Sequence, residues 1–178
     1  LGAVRADGPS RIENAAMEPD VVAFGEALKD MGAQIDGLGT RTIEIQGVDR
    51  LAPTEVRNTP DRIELGTFML MAATAGQPGQ PVEIRHGTHQ HLGQDFKDRL
   101  AETGVDVEYE EEVVTVTRPE QIQAVSIETA PYPGFPTDLQ AQWTVLLALA
   151  DGTGTVTDTI YDDRFKHVPE LQRLGIEI

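Results

Sequence analysis

The chain has 178 residues, 39% of them hydrophobic, enough for one domain of ordinary size or for two small lobes. Thirty acidic residues against fourteen basic ones leave a formal charge of −16, which argues against a nucleic-acid binder that tracks phosphates with Lys and Arg. The absence of cysteine excludes disulfides, thiolate metal sites and a thiol nucleophile within this stretch. No apolar run approaches the ~20 residues needed to cross a bilayer.

The chain opens without an initiator methionine or the pattern of a signal peptide. It closes on a segment that reads as the approach to a strand, so it is expected to be a fragment of a longer protein. Glu108, Glu110, Glu111 and Glu112 crowd one spot, most simply a solvated strand edge or turn. An acid excess of this size repels itself at low ionic strength and predicts a protein from a high-salt environment. Thermal melts of the protein are therefore expected to shift upward as KCl rises from dilute to molar. A midpoint that stays put removes the idea.

The predicted elements follow a repeat. A strand at 11–13 leads to an amphipathic helix with Val21, Phe24, Leu28 and Met31 on one face, then Gly32 and a second strand. Residues 42–46 alternate as a half-wet strand, and 51–60 form the one plausible hinge. Thr59-Pro60-Asp61 is a helix-start signal for an apolar helix over 63–75. A strand at 82–85 begins the second round, whose helix aligns Leu92, Phe96 and Leu100 before Gly104. Strands are predicted at 105–107, 113–117 and 122–128. Pro136-Thr137-Asp138 then opens a second apolar helix over 139–150. A strand at 157–160 and a last helix ending at Gly175 complete the series. The three glycines, 72 and 71 residues apart, each fall where a helix needs a left-handed closing residue. The full unit is β-α-β-α-β-β, from about 54 to 117, with an incomplete unit at 122–178. Wet-faced sheets with all-round apolar helices between them place the helices inside and the sheets outside. The predicted class is α/β (α+β).

The densest chemistry lies between Thr129 and Gln142, where three prolines fix a loop that delivers Asp138 to a helix start. Asp138 is either a helix cap, a role equally open to Asp61 at its own helix, or a carboxylate available as a base toward a substrate hydroxyl. The second role carries a tension, because a helix N-terminus stabilises the anion and lowers its basicity. Arg164 can clamp a carboxylate or phosphate, or pair with Asp162 or Asp163 at the surface, where it contributes little. Arg62 invites the same two readings. His86, His89 and His91 form a cluster, but no carboxylate pair or cysteine accompanies them, so no metal is assigned. Gly37-Leu38-Gly39 and Gly152-Thr153-Gly154 are tight turns, since neither follows a strand and opens a helix as a phosphate loop does.

Taken together, Ile12-Glu13-Asn14-Ala15-Ala16, Pro60-Asp61-Arg62-Ile63-Glu64 with Gly66-Thr67-Phe68, the string from Thr129 to Gln142, and Arg164-Phe165 with His167-Val168-Pro169-Glu170-Leu171 resemble the bacterial UDP-N-acetylglucosamine enolpyruvyl transferases (1-carboxyvinyltransferases). The resemblance runs nearly the whole chain, and is weaker at 86–94 and 108–120. It implies an inside-out α/β barrel of the enolpyruvyl transferase type, in two lobes of three β-α-β-α-β-β units. Residues 1–59 would end the first lobe and 60–178 form about half of the second. It also implies transfer of the enolpyruvyl group of phosphoenolpyruvate to the 3-hydroxyl of UDP-N-acetylglucosamine, the first committed step toward peptidoglycan, in a cytoplasmic monomer without cofactor, nucleic acid or membrane. Position by position, Asp138 matches the aspartate at the 3-hydroxyl and is the candidate base. Ile160 matches a contact to the UDP-sugar and Arg164 an active-site arginine. Glu18 and Asp20 match acids facing the cleft from the other lobe, and Arg62 is a further candidate for substrate binding. The mobile loop and most cations that grip phosphoenolpyruvate would lie outside this chain, which alone would be inactive. Two other readings stand beside this one: a shikimate-phosphate enolpyruvyl transferase, and a non-catalytic paralogue that binds nucleotide-sugar.

Overall fold

The computed structural model describes residues 1–178 and divides into two compact units, Leu1–Thr59 and Pro60–Ile178. In the first, β1 (Pro9–Glu13), α1 (Pro19–Asp30), β2 (Gln34–Asp36) and β3 (Thr42–Gln46) follow one another. The strands form an antiparallel sheet in the order β1-β3-β2. Pairing of Ile35 with Ile45 puts two β-branched side chains opposite each other on the buried face, where they join Val4, Leu28, Ala33 and Ile43. The α1 helix ends as its sequence predicts. Gly32 has φ 101°, and the Ala33 N–H turns back to the Leu28 carbonyl at 2.9 Å, closing the helix through a left-handed residue. One expectation fails there: Phe24 is 51% exposed, and within this unit the buried stripe of α1 runs through Gly25 and Leu28.

The second unit opens with α2 (Arg62–Ala75). No strand precedes it. The backbone from 47 to 61 has no regular structure, so the predicted first strand of the 54–117 unit is absent. Asp61 caps α2, accepting from the Ile63 and Glu64 N–H groups at 2.7 and 3.3 Å. β4 (Pro81–Arg85), α3 (Gln94–Glu102), β5 (Asp106–Tyr109) and β6 (Val113–Thr117) follow. The sheet is again antiparallel, with β6 central in the order β4-β6-β5. The alternation of β6 buries Val114 and Val116 against α2 and α3. The Glu-rich stretch is the exposed β5–β6 turn. Two very short strands, β7 (Ile127–Glu128) and β8 (Val156–Thr157), pair in parallel. They are all that remains of the longer strands predicted at 122–128 and 157–160. A 3₁₀ turn, Thr137–Leu139, runs into α4 (Gln140–Ala148), and α5 (Val168–Arg173) ends the series. Residues 176–178 form no strand.

The core of this unit gathers Leu65, Met69, Leu70, Leu100, Leu139 and Leu146 around an aromatic trio. Phe96, Phe135 and Trp143 lie 5.2–6.4 Å apart by ring centroids, tilted or edge-on as ring quadrupoles favour. The turn that leads into α4 packs closely on α2 because position 66 is glycine: a Cβ there would stand 2.4 Å from Leu139 Cδ1. Neither helix is buried all round in this chain. Phe68 and Met71 on α2 and Leu149 after α4 are 42–54% exposed, and the α2 pair borders a groove of about 540 Å³ with Val82 and Ile84. The architecture is α+β, with separate three-stranded sheets that do not close into a barrel within this chain.

Candidate functional site

The loop from Thr129 to Pro136 is held at both ends and in the middle. The Thr129 N–H donates to the Thr157 carbonyl and the Ala130 N–H to that of Phe135, each at 2.9 Å. The Tyr132–Pro133 peptide is cis. Phe135 and Leu139, both fully buried, pin the chain on either side of Asp138. Pro136, not Asp138, occupies the cap position of the turn Thr137–Leu139, and Asp138 makes no capping bond. The helix-cap reading of Asp138 therefore gives way.

Its partner is instead Arg164, whose Nη2 donates to Asp138 Oδ1 at 2.5 Å. Arg164 therefore pairs with neither Asp162 nor Asp163, the latter being held by Lys166 at 2.9 Å. The Arg164 guanidinium additionally lies over the Tyr161 ring, 5.0 Å from its centroid. Arg62, the first residue of α2, is placed in the same way over Tyr132, at 5.6 Å, so both arginines rest on tyrosine faces. With side-chain exposures of 34% and 50%, the Asp138–Arg164 pair is screened by water and holds itself together by only ~0–1 kcal/mol. Either member can exchange its partner at small cost.

Ile160 is 38% exposed, and its N–H donates to Asp158 Oδ1 at 2.9 Å. Asp158 sits at the junction of the two segments, and sequence reasoning missed it. Burial pushes its carboxyl up, but hydrogen bonds from the Thr137 hydroxyl, the Tyr161 and Ile160 N–H groups and the Thr129 hydroxyl outweigh burial and hold it below the usual carboxylate range. The readable signal was an aspartate two residues ahead of a turn, where its side chain can accept from the backbone further on.

The structure thus brings Asp138, Arg164 and the 158–161 turn together, with Arg62 beside the same proline-rich loop. Glu18 and Asp20 belong to the first unit, at the start of α1. The Glu18 carbonyl accepts from the Val21 and Val22 N–H groups, and its Oε2 is buried without a hydrogen-bond partner. The histidines disperse: His86 faces Glu112 at 4.0 Å, while His89 stacks on Tyr109 at 5.1 Å. Burial, then the nearby Lys97 charge, lowers the His89 pKa. No three His, Asp or Glu side chains converge as metal ligands.

Comparison with known proteins places this geometry among relatives. The EPSP synthase (3-phosphoshikimate 1-carboxyvinyltransferase) family matches residues 1–178. The UDP-N-acetylglucosamine 1-carboxyvinyltransferase of Geotalea daltonii is 45% identical over 178 residues, all of this chain and 42% of the relative. A UDP-N-acetylglucosamine 1-carboxyvinyltransferase 2 of Bacillus cereus is 47% identical, again over all of this chain and 41% of its own length. The crystal structure of the enolpyruvyl transferase NikO from Streptomyces tendae superposes with a TM-score of 0.87 at 27% identity, covering 99% of this chain and 41% of that one. The chain spans about 42% of the length of the curated relatives it matches.

Proposed function

The chain belongs to the EPSP synthase (3-phosphoshikimate 1-carboxyvinyltransferase) family along its whole length, and from that premise we propose that the protein carrying it transfers the enolpyruvyl group of phosphoenolpyruvate to the 3-hydroxyl of UDP-N-acetylglucosamine. The observation that carries the reading is the Asp138–Arg164 pair on a loop locked by buried Phe135 and Leu139. The acceptor follows from the relatives, which are named for UDP-N-acetylglucosamine at 45–47% identity.

The sugar oxygen adds to C2 of phosphoenolpyruvate while a proton is delivered to C3, giving a tetrahedral intermediate. Loss of phosphate from C2 and of a proton from C3 restores the double bond. In this scheme Asp138 accepts the proton of the 3-hydroxyl as the bond to carbon forms. Arg164 holds the carboxylate in place before the hydroxyl arrives and presents its planar fork to anionic substrate atoms afterward. Ile160 contacts the UDP-sugar, Arg62 is a further substrate-binding cation, and Glu18 and Asp20 are candidate substrate-facing acids of the first lobe. Residues 1–59 close that lobe and 60–178 make part of the second, whose complete form is the inside-out barrel. The uncovered stripe of Phe68 and Met71 supports a further helix packing there in the whole lobe. The reading also includes a cytoplasmic monomer, no cofactor, and peptidoglycan precursor synthesis. No helix is long and apolar enough to cross a membrane.

Phosphate release by the complete protein, with phosphoenolpyruvate and each acceptor in turn, tests this. Turnover is expected with UDP-N-acetylglucosamine and not with shikimate 3-phosphate. The reverse pattern moves the protein to the sister activity, and binding of the nucleotide-sugar without turnover makes it a non-catalytic binder.

A further inference from the structure

Two segments separated by more than twenty residues meet on one carboxylate. Asp158 Oδ1 accepts from the Ile160 N–H at 2.9 Å, the Tyr161 N–H at 3.0 Å and the Thr129 hydroxyl at 3.0 Å. Its Oδ2 accepts from the Thr137 hydroxyl at 2.6 Å. Thr129 adds two further ties: its hydroxyl accepts from the Thr159 N–H at 3.0 Å, and its carbonyl accepts from the Thr159 hydroxyl.

An aspartate that only shaped its own turn would need one oxygen, directed at the N–H groups two and three residues on. Here the second oxygen is spent on a different loop, at the residue immediately before Asp138. The two N–H groups it holds belong to Ile160, the candidate sugar contact, and to Tyr161, whose ring lies under Arg164. As an anion the carboxylate only accepts, and it can take four donors, so every bond in this set has one direction.

We infer that Asp158 is a positioning residue, fastening the Asp138 loop to the Ile160–Arg164 turn so that base, arginine and nucleotide-sugar contact keep one mutual geometry. Charge-assisted hydrogen bonds to a half-buried carboxylate are stronger than an exposed ion pair. The frame therefore holds when the Asp138–Arg164 contact opens for substrate. The inference deepens the proposed function and rests on it.

The test uses Thr137→Val, Thr137→Ser, Asp158→Ala and the Thr137→Val/Asp158→Ala double variant in the complete protein. Initial rates are measured against UDP-N-acetylglucosamine and phosphoenolpyruvate separately. Valine keeps the shape of threonine and replaces its hydroxyl by a methyl group that cannot donate. Displacing the base predicts that Thr137→Val loses about tenfold in kcat or more, while Thr137→Ser stays near wild type. Asp158→Ala is expected to lower kcat further and to raise KM for the nucleotide-sugar, leaving KM for phosphoenolpyruvate within about twofold, because only the sugar-side frame loosens. The double variant should be no slower than Asp158→Ala, as for two residues acting through one link.

A folded Thr137→Val with wild-type kcat overturns the inference, as do multiplicative losses in the double variant or equal rises in both KM values. Should Asp158→Ala fail to fold, the contrast between valine and serine at 137 decides alone. Wild-type protein that turns over no acceptor refutes the functional reading and the inference with it, whereas an active wild type with unaffected variants refutes the inference only.

Discussion

Asp138→Ala in the complete protein is expected to lower kcat by ~10²-fold or more, the lower end for removing a positioned base. The competing explanation of that carboxylate was structural, and the coordinates remove it: Pro136 takes the cap position, and Asp138 makes no bond to a helix N–H. What Asp138 does contact is Arg164, in a pair exposed enough to contribute only ~0–1 kcal/mol. Loss of the side chain should therefore leave the melting temperature nearly unchanged while turnover collapses. Full activity with unaltered KM for the nucleotide-sugar would show that the acid is a bystander.

The largest expected loss of stability comes from Trp143→Ala. Trp143 is fully buried, lies edge-on to both Phe96 and Phe135, and donates its indole N–H to the Val125 carbonyl at 3.1 Å. Truncation removes the ring, leaves a cavity between α3 and α4, and strips the Val125 carbonyl of its donor. Such a change costs about 3–5 kcal/mol, with ~1 kcal/mol more from the lost hydrogen bond. Urea denaturation of the complete protein should show a markedly lower midpoint for the transition that reports on this core. A shift corresponding to less than about 1 kcal/mol would mean that Trp143 is not the centre of the cluster.

The two predictions mark what could be read from the chain and what could not. Helices α2 and α3 were legible because each carries its own punctuation. Asp61 sits one residue before α2, and Leu92, Phe96 and Leu100 recur at helical spacing before Gly104. Gly32 and Gly104 were legible for a local reason, since a left-handed closing residue depends on its own φ. The strands at 122–128 and 157–160 misled. There the ladder is short: only Ile127–Glu128 and Val156–Thr157 pair as strands, and Gln123 meets Asp151 in an isolated bridge. Phe24 misled because periodicity reports which residues share a face and not how wide the buried stripe is. In the site, Asp138 and Arg164 stood out singly. Their pairing, across 26 residues, depends on how the proline-rich loop folds back. The role of Asp158 was illegible for the same reason, since its two hydroxyl donors lie 21 and 29 residues away.

One acceptor serving four donors has a consequence for anyone altering this protein. Removing the Thr129 or Thr137 hydroxyl, or the Asp158 carboxylate, strands at least one neighbour, so a replacement that loses the polar group has to be matched by a change in its partner. The face around Ile160 is tethered through its amide and not its side chain, so, on the proposed reading of Ile160 as a sugar contact, that side chain is the place to alter acceptor preference without disturbing the scaffold beneath.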